Sequence, residues 1–168
     1  MNITLIGMPG AGKSTVGVIL AKMAGFEFVD CDIVIQEREK RLLHEIITDE
    51  GNEGFLKIEE DVNASLDVHN SVIAPGGSVI YGPKAMKHLH DISTIVYLKL
   101  DYEAVANRLG DLKKRGVALK PGQTLLDLYN ERTPLYEKYS DFSVDADRGT
   151  PQAVAREIIA AAGLSDRT

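Results

Sequence analysis

Short apolar runs alternate along the chain with longer stretches in which apolar residues recur every three or four positions. The runs are Asn2–Ile6, Phe26–Val29, Ser71–Ala74, Ser93–Leu100 and Asp141–Asp145. Rich in β-branched residues and bounded by turn-forming residues, they predict buried strands. Between them, Lys13–Met23 carries Val16, Ile19, Leu20 and Met23 at helical spacing, with Gly25 just beyond as a stop. Ile33–Asp49 reads as a charged helix in two pieces around Lys40 and Arg41. Gly51 and Gly54 break that pattern, and Phe55–Val68 resumes it with Phe55, Ile58, Val62 and Leu66 on one side. Pro83–His90, Tyr102–Leu109 behind an Asp101 cap, Thr124–Tyr139 with a break near Thr133-Pro134, and Pro151–Ala162 complete the helices. Strands alternating with helices predict an α/β fold, a parallel sheet covered on both faces. No repeat, linker or low-complexity tract interrupts residues 1–168, so any insert is a subdomain of a single domain.

Charge changes the picture at one point. The formal net charge is −6, so the chain has no broad basic surface for nucleic acid, and cations that bind anions must be gathered locally. The single cysteine, Cys31, forms no intrachain disulfide and fits a reducing cytoplasm. The first apolar run is too short for a signal peptide. No stretch approaches the roughly 18 consecutive apolar residues of a membrane span. The expectation is a cytoplasmic protein that binds neither membrane nor nucleic acid.

The first strand leads into GMPGAGKST, Gly7–Thr15, which matches G-x-x-x-x-G-K-[ST] in full. Glycines in such a loop let backbone N–H groups turn inward around phosphate oxygens, and the following helix aims its positive end at the same place. Gly10, Ala11, Gly12, Lys13, Ser14 and Thr15 are therefore candidate nucleotide contacts. Lys13 supplies a mobile point charge at the β and γ phosphates, and the Ser14 hydroxyl suits Mg²⁺. The chain has no N-K-x-D guanine signature, and its length favours a small kinase over a motor ATPase.

Further candidates fall at the carboxyl ends of predicted strands, where parallel sheets bind ligands. Asp30 and Asp32 follow the second strand. One suits a water-mediated contact to Mg²⁺, the other a substrate hydroxyl; Asp32 also fits a plain helix cap. Gly76-Gly77-Ser78 follows the third strand, where two glycines allow close approach of a small ligand, although spacing alone fits a plain tight turn slightly better. Arg108, Lys113, Lys114, Arg115 and Lys120 crowd a stretch suited to covering a triphosphate. Arg132 sits beside the predicted helix break, where its two-pronged donor suits a carboxylate. The histidines His44, His69, His88 and His90 show no metal-ligand spacing and read as surface residues.

With these motifs in order, the chain resembles the shikimate kinase family, small phosphate-loop enzymes related to nucleoside monophosphate kinases. GMPGAGKST resembles its nucleotide loop, FVDCD its F-x-D-x-D stretch, GFLKIEEDV its substrate helix, VIAPGGSVI its second glycine loop and RTPLY its signature near the last strand. The resemblance implies a P-loop NTPase fold with a five-stranded parallel sheet, a helical substrate-binding subdomain over about 33–66 and a lid over about 109–123. It implies ATP, Mg²⁺ and transfer of the γ-phosphate to a ring hydroxyl of a small carboxylic acid; a monomer is expected. Carried over by position, Asp30 falls on the Mg²⁺-side acid and Asp32 on the acid that holds substrate hydroxyls. Gly76, Gly77 and Ser78 fall on the substrate loop, and Phe55 and Leu56 on the substrate helix. Arg108 falls on the adenine-stacking arginine, with Arg148 and Pro151 near the adenine loop. Arg115 falls on the lid arginine and Arg132 on the arginine that grips the substrate carboxylate.

The departures lie on the acceptor side. The family usually reads G-E-x-x-F-R at the substrate helix, where this chain has Gly51-Asn52-Glu53-Gly54-Phe55-Leu56. Leu56 stands where an arginine helps bind the carboxylate, Ser78 where the loop has a third glycine, and Ile47 where an aromatic residue is usual. The sequence therefore leaves open a paralogous kinase for another small hydroxy acid or polyol, and a regulatory nucleotide-binding module with little turnover. The retained Lys13, Ser14, Asp30, Asp32 and Arg115 weigh against the module. A nucleoside monophosphate kinase would call for more acceptor-side arginines than Arg132.

Overall fold

The computed structural model describes residues 1–110 and 119–168. The strands are β1 (Ile3–Ile6), β2 (Glu27–Asp30), β3 (Ser71–Ala74), β4 (Thr94–Lys99) and β5 (Phe142–Asp145). They form one sheet in the order β2-β3-β1-β4-β5, parallel at every pairing. The helices are α1 (Lys13–Ala24), α2 (Cys31–Glu39), α3 (Leu43–Ala64), α4 (Pro83–Ile92), α5 (Tyr102–Leu109), α6 (Leu125–Tyr139) and α7 (Pro151–Ala161). The α/β class and the five-stranded parallel sheet read from the sequence are what the structure has.

The central strand β1 explains the register. Ile3, Leu5 and Ile6 are almost wholly buried, and burying each such side chain contributes about 1.5–3 kcal/mol. A strand with no polar face belongs in the middle of a parallel sheet. Its carboxyl end then delivers the phosphate loop to the centre of the sheet's rim. The neighbouring β3 delivers Gly76–Ser78, and β2 beyond it delivers Asp30.

Two helices bear on the breaks read in the sequence. Gly51 does break the pattern: α3 is two helical segments meeting at a kink there, with a φ of 71° and ψ of 179° that lie outside the helical region and that only glycine adopts freely, whereas Gly54 sits inside the second segment. At Gly54 a side chain would meet the Glu50 Cβ at 2.6 Å, so the bare backbone is what lets the two segments close up. By contrast, α6 does not break at Thr133-Pro134 but continues to Tyr139. Pro134 points to solvent, while Leu128, Arg132 and Tyr136 form a buried stripe at four-residue spacing that holds the helix together. Among the described residues no helix is long and apolar enough to cross a membrane.

Candidate active site

The phosphate loop turns into α1 at Gly12, whose φ of 89° lies in the left-handed region that favours glycine. Lys13 then curls over the loop, donating from Nζ to the carbonyls of Gly7 at 2.9 Å and Met8 at 3.0 Å. Burial pulls its ammonium down to about 8, reinforced by Arg132 and opposed by Asp32, Glu59 and Asp30. Gly10, Gly12, Lys13, Ser14 and Thr15 all line a cavity of about 790 Å³; Ala11 is buried behind it.

The two aspartates have separable jobs. Asp30 is the N-cap of α2, its carboxylate accepting from the Asp32 N–H at 3.0 Å. The cap suspected for Asp32 thus falls on Asp30, which starts the helix at Cys31 rather than Ile33. Asp32 lies in the first turn and lines the cavity. Burial and the charge of Asp30 raise its carboxyl above the usual range, against the pull of Lys13, which makes it a better proton acceptor.

Arg132 is 3% exposed on α6, and its buried Nε has no hydrogen-bond partner. Its guanidinium sits 5.4 Å from the Tyr81 ring centre. One helical turn on, the Tyr136 hydroxyl donates to the Gly77 carbonyl at 2.6 Å, fixing α6 to the second glycine loop. That places Arg132 Nη1 3.1 Å from where a Gly77 side chain would begin. Gly76, Gly77 and Ser78 line the cavity with Arg132, across from Phe55.

Glu59 is a residue the motif reading did not single out. It is 2% exposed, lines the cavity, and accepts from Ser78 Oγ at 2.8 and 3.0 Å through its two carboxylate oxygens. Burial pushes its carboxyl up to about 7, with Asp32 adding and Ser78, Arg132 and Lys13 opposing. A signal for it existed: position 59 lies four residues after Phe55 and three before Val62, an acid on the apolar side of its helix. Ile47 and Asn52, read as acceptor-side departures, line the cavity, as do Gln36, Leu42, Leu43, His44 and Thr48, which the motifs did not single out because α2 and the kink at Gly51 bring them together. His44 is exposed, as read, yet stands at this mouth.

Other sequence candidates lie elsewhere. Leu56 is half-buried and is not among the cavity-lining residues; the apolar wall comes from Phe55, Ile47, Leu42 and Leu43. Arg108 donates to the Gly10 carbonyl at 3.4 Å and the Ala146 carbonyl at 3.3 Å, and pairs with Asp147 at 3.0 Å. It so ties the phosphate loop to the β5–α7 connection that carries Arg148, which pairs with Asp145 at 3.0 Å, and Pro151 at the start of α7. Residues 111–118 of the expected lid, with Lys113, Lys114 and Arg115, lie outside the described residues.

The donors also bear on Mg²⁺. Ser14 and Asp30 present hard oxygens on the wall that carries Lys13. Among the described residues no three His, Cys, Asp or Glu side chains converge as a metal cage. One or two protein oxygens beside a triphosphate are what Mg²⁺ uses.

Comparison with known proteins gives one consistent result. A family model described as shikimate kinase matches residues 9–162. The chain is 36% identical to a shikimate kinase from Mycobacterium avium (strain 104) over 165 residues, covering 96% of this chain and 93% of that protein. A solved shikimate kinase from Acinetobacter baumannii in complex with shikimate superposes with a TM-score of 0.84 at 31% identity, covering 96% of this chain and 92% of that one. A shikimate kinase structure from Aquifex aeolicus superposes with a TM-score of 0.81 at 29% identity, covering 97% and 96%.

Proposed function

The chain belongs to the shikimate kinase family of phosphotransferases, and we propose that it transfers the γ-phosphate of ATP to a ring hydroxyl of shikimate. One observation carries this reading. The phosphate loop, a raised-pKa carboxylate and a buried arginine with unspent hydrogen-bonding capacity line the same cavity.

Each residue then has a task. The loop N–H groups and Lys13 hold the β and γ phosphates and stabilise the charge that spreads over the transferring group. Arg108, with Arg148 and Pro151 in the adjoining connection, borders the adenine end. Arg132 grips the acceptor carboxylate, anchoring it against the Gly76–Ser78 loop and Phe55. Asp32 holds the accepting hydroxyl and takes its proton as the oxygen attacks. Arg115 supplies a lid cation over the phosphates. Ser14 and Asp30 would hold Mg²⁺, which neutralises phosphate charge when bound. The helical segment over 33–66 serves as the acceptor subdomain. The enzyme works as a monomer on a small molecule, in a reducing cytoplasm that suits its single cysteine.

The test is an acceptor panel with ATP and Mg²⁺: shikimate, gluconate, a neutral polyol and a nucleoside monophosphate. Shikimate is expected to give the highest kcat/KM, with the neutral polyol at least about ten-fold lower for lack of a carboxylate on Arg132. A faster reaction with gluconate or the polyol would point to a paralogue with another acceptor. ADP release indifferent to every acceptor would point to a nucleotide-binding module.

A further inference from the structure

Two departures from the family's pattern flank one buried acid. Glu59 accepts hydrogen bonds from Ser78 at 2.8 and 3.0 Å, and among the described residues no other group donates to its carboxylate. The contact is tight: a side chain on Gly76 would meet Glu59 Oε2 at 2.5 Å and Asp32 Oδ1 at 3.6 Å. Glu59 therefore braces the acceptor loop from behind while standing next to Asp32. On the other side, position 56 lies one turn before Glu59 on α3, the i, i+3 spacing at which helical side chains meet. An arginine there would be within reach of the carboxylate. Leu56 has no donor to offer. Ser78 supplies one instead, from a backbone with φ of −90° and ψ of −1° that does not require glycine.

Resting on the reading that shikimate is the acceptor, we propose that Ser78 is a positioning residue of the acceptor site. Its hydroxyl holds Glu59, and through it the Gly76–Ser78 loop, in place of the partner that an arginine at position 56 would provide. The two positions are thus coupled through Glu59. Leu56 leaves the bracing of Glu59 to Ser78. Burial pushes the carboxyl of Glu59 up to about 7, and the Ser78 bond restrains the rise. Lys13, Asp32 and Arg132 also face it from α1, α2 and α6.

Four proteins test this: the parent, S78A, L56R and L56R/S78A. S78A is expected to raise the KM for shikimate about ten-fold, from loss of a charge-assisted hydrogen bond, and to leave the KM for ATP within about two-fold. L56R alone gives the effect of the added cation where Ser78 already holds Glu59, and on this proposal that gain is smaller than the gain the same change brings in S78A. In L56R/S78A the shikimate KM should return to within about three-fold of the parent, a coupling that independent sites do not show. Effects that multiply, or an S78A variant that shifts both KM values equally, would overturn the proposal. Thermal unfolding of the same four proteins needs no turnover: the midpoint should fall in S78A and recover in the double variant. If the parent fails to phosphorylate shikimate, the functional reading falls, and the unfolding midpoints decide the coupling by themselves. Additive midpoints overturn it; recovery upholds it.

Discussion

Replacing Lys13 by alanine is expected to lower kcat/KM for the kinase reaction by about 10²–10³-fold, the cost of removing one preorganised donor from a developing charge. The lysine contacts two loop carbonyls and lines the cavity, with its ammonium pulled down to about 8 by burial. A triphosphate in the loop would raise it again, so the residue is charged where charge is needed. The other buried cation of the cavity, Arg132, is tied into the acceptor side by α6 and cannot take over. Coupled measurement of ADP release with shikimate present gives the result. Turnover within a few-fold of the parent would remove Lys13, and the phosphate loop with it, from the chemistry.

Asp32→Asn should cost at least about 10²-fold in kcat while leaving the KM for ATP within about three-fold, since general-base assistance typically contributes 10²–10⁴-fold. The structure makes this substitution unusually clean. Asp30, not Asp32, caps α2, so the helix keeps its N-terminus when Asp32 loses its charge. Asparagine nearly matches the carboxylate in size and still bonds a hydroxyl, but accepts no proton. A variant with near-parent kcat would show that the hydroxyl loses its proton elsewhere, Asp30 and Glu59 being the other acids that line the cavity.

Much of the site was legible along the chain because it rests on local rules. A glycine-rich turn between an apolar strand and an amphipathic helix identifies itself, and β1, Gly12 and α1 stand where that pattern puts them. Asp30 and Gly76–Ser78 follow strands β2 and β3, and the order β2-β3-β1 then brings them to one rim. What was not legible depended on contacts between distant elements. Glu59 reads as one more charge in a charged helix until Ser78 of another element is seen to hold it. The cavity wall of Thr48, Asn52, Phe55 and Glu59 takes residues from both segments of α3, and the sequence shows the break at Gly51 but not the angle at which the kink joins them. Pro134 misled: the bond it removes lies on the solvent side, and the buried Leu128–Arg132–Tyr136 stripe keeps α6 intact. Leu56 gained significance from its place in a motif, while its neighbours one turn away line the cavity.

The most direct measurement follows the γ-phosphate itself. Purified protein is incubated with shikimate, Mg²⁺ and ATP labelled at the γ-phosphate, and the products are separated and counted. One phosphate monoester on shikimate is expected for each ADP formed, with no label released as inorganic phosphate. ADP formed with the label in inorganic phosphate, or no acceptor-dependent ADP at all, would contradict shikimate as the acceptor held by Arg132 and Asp32.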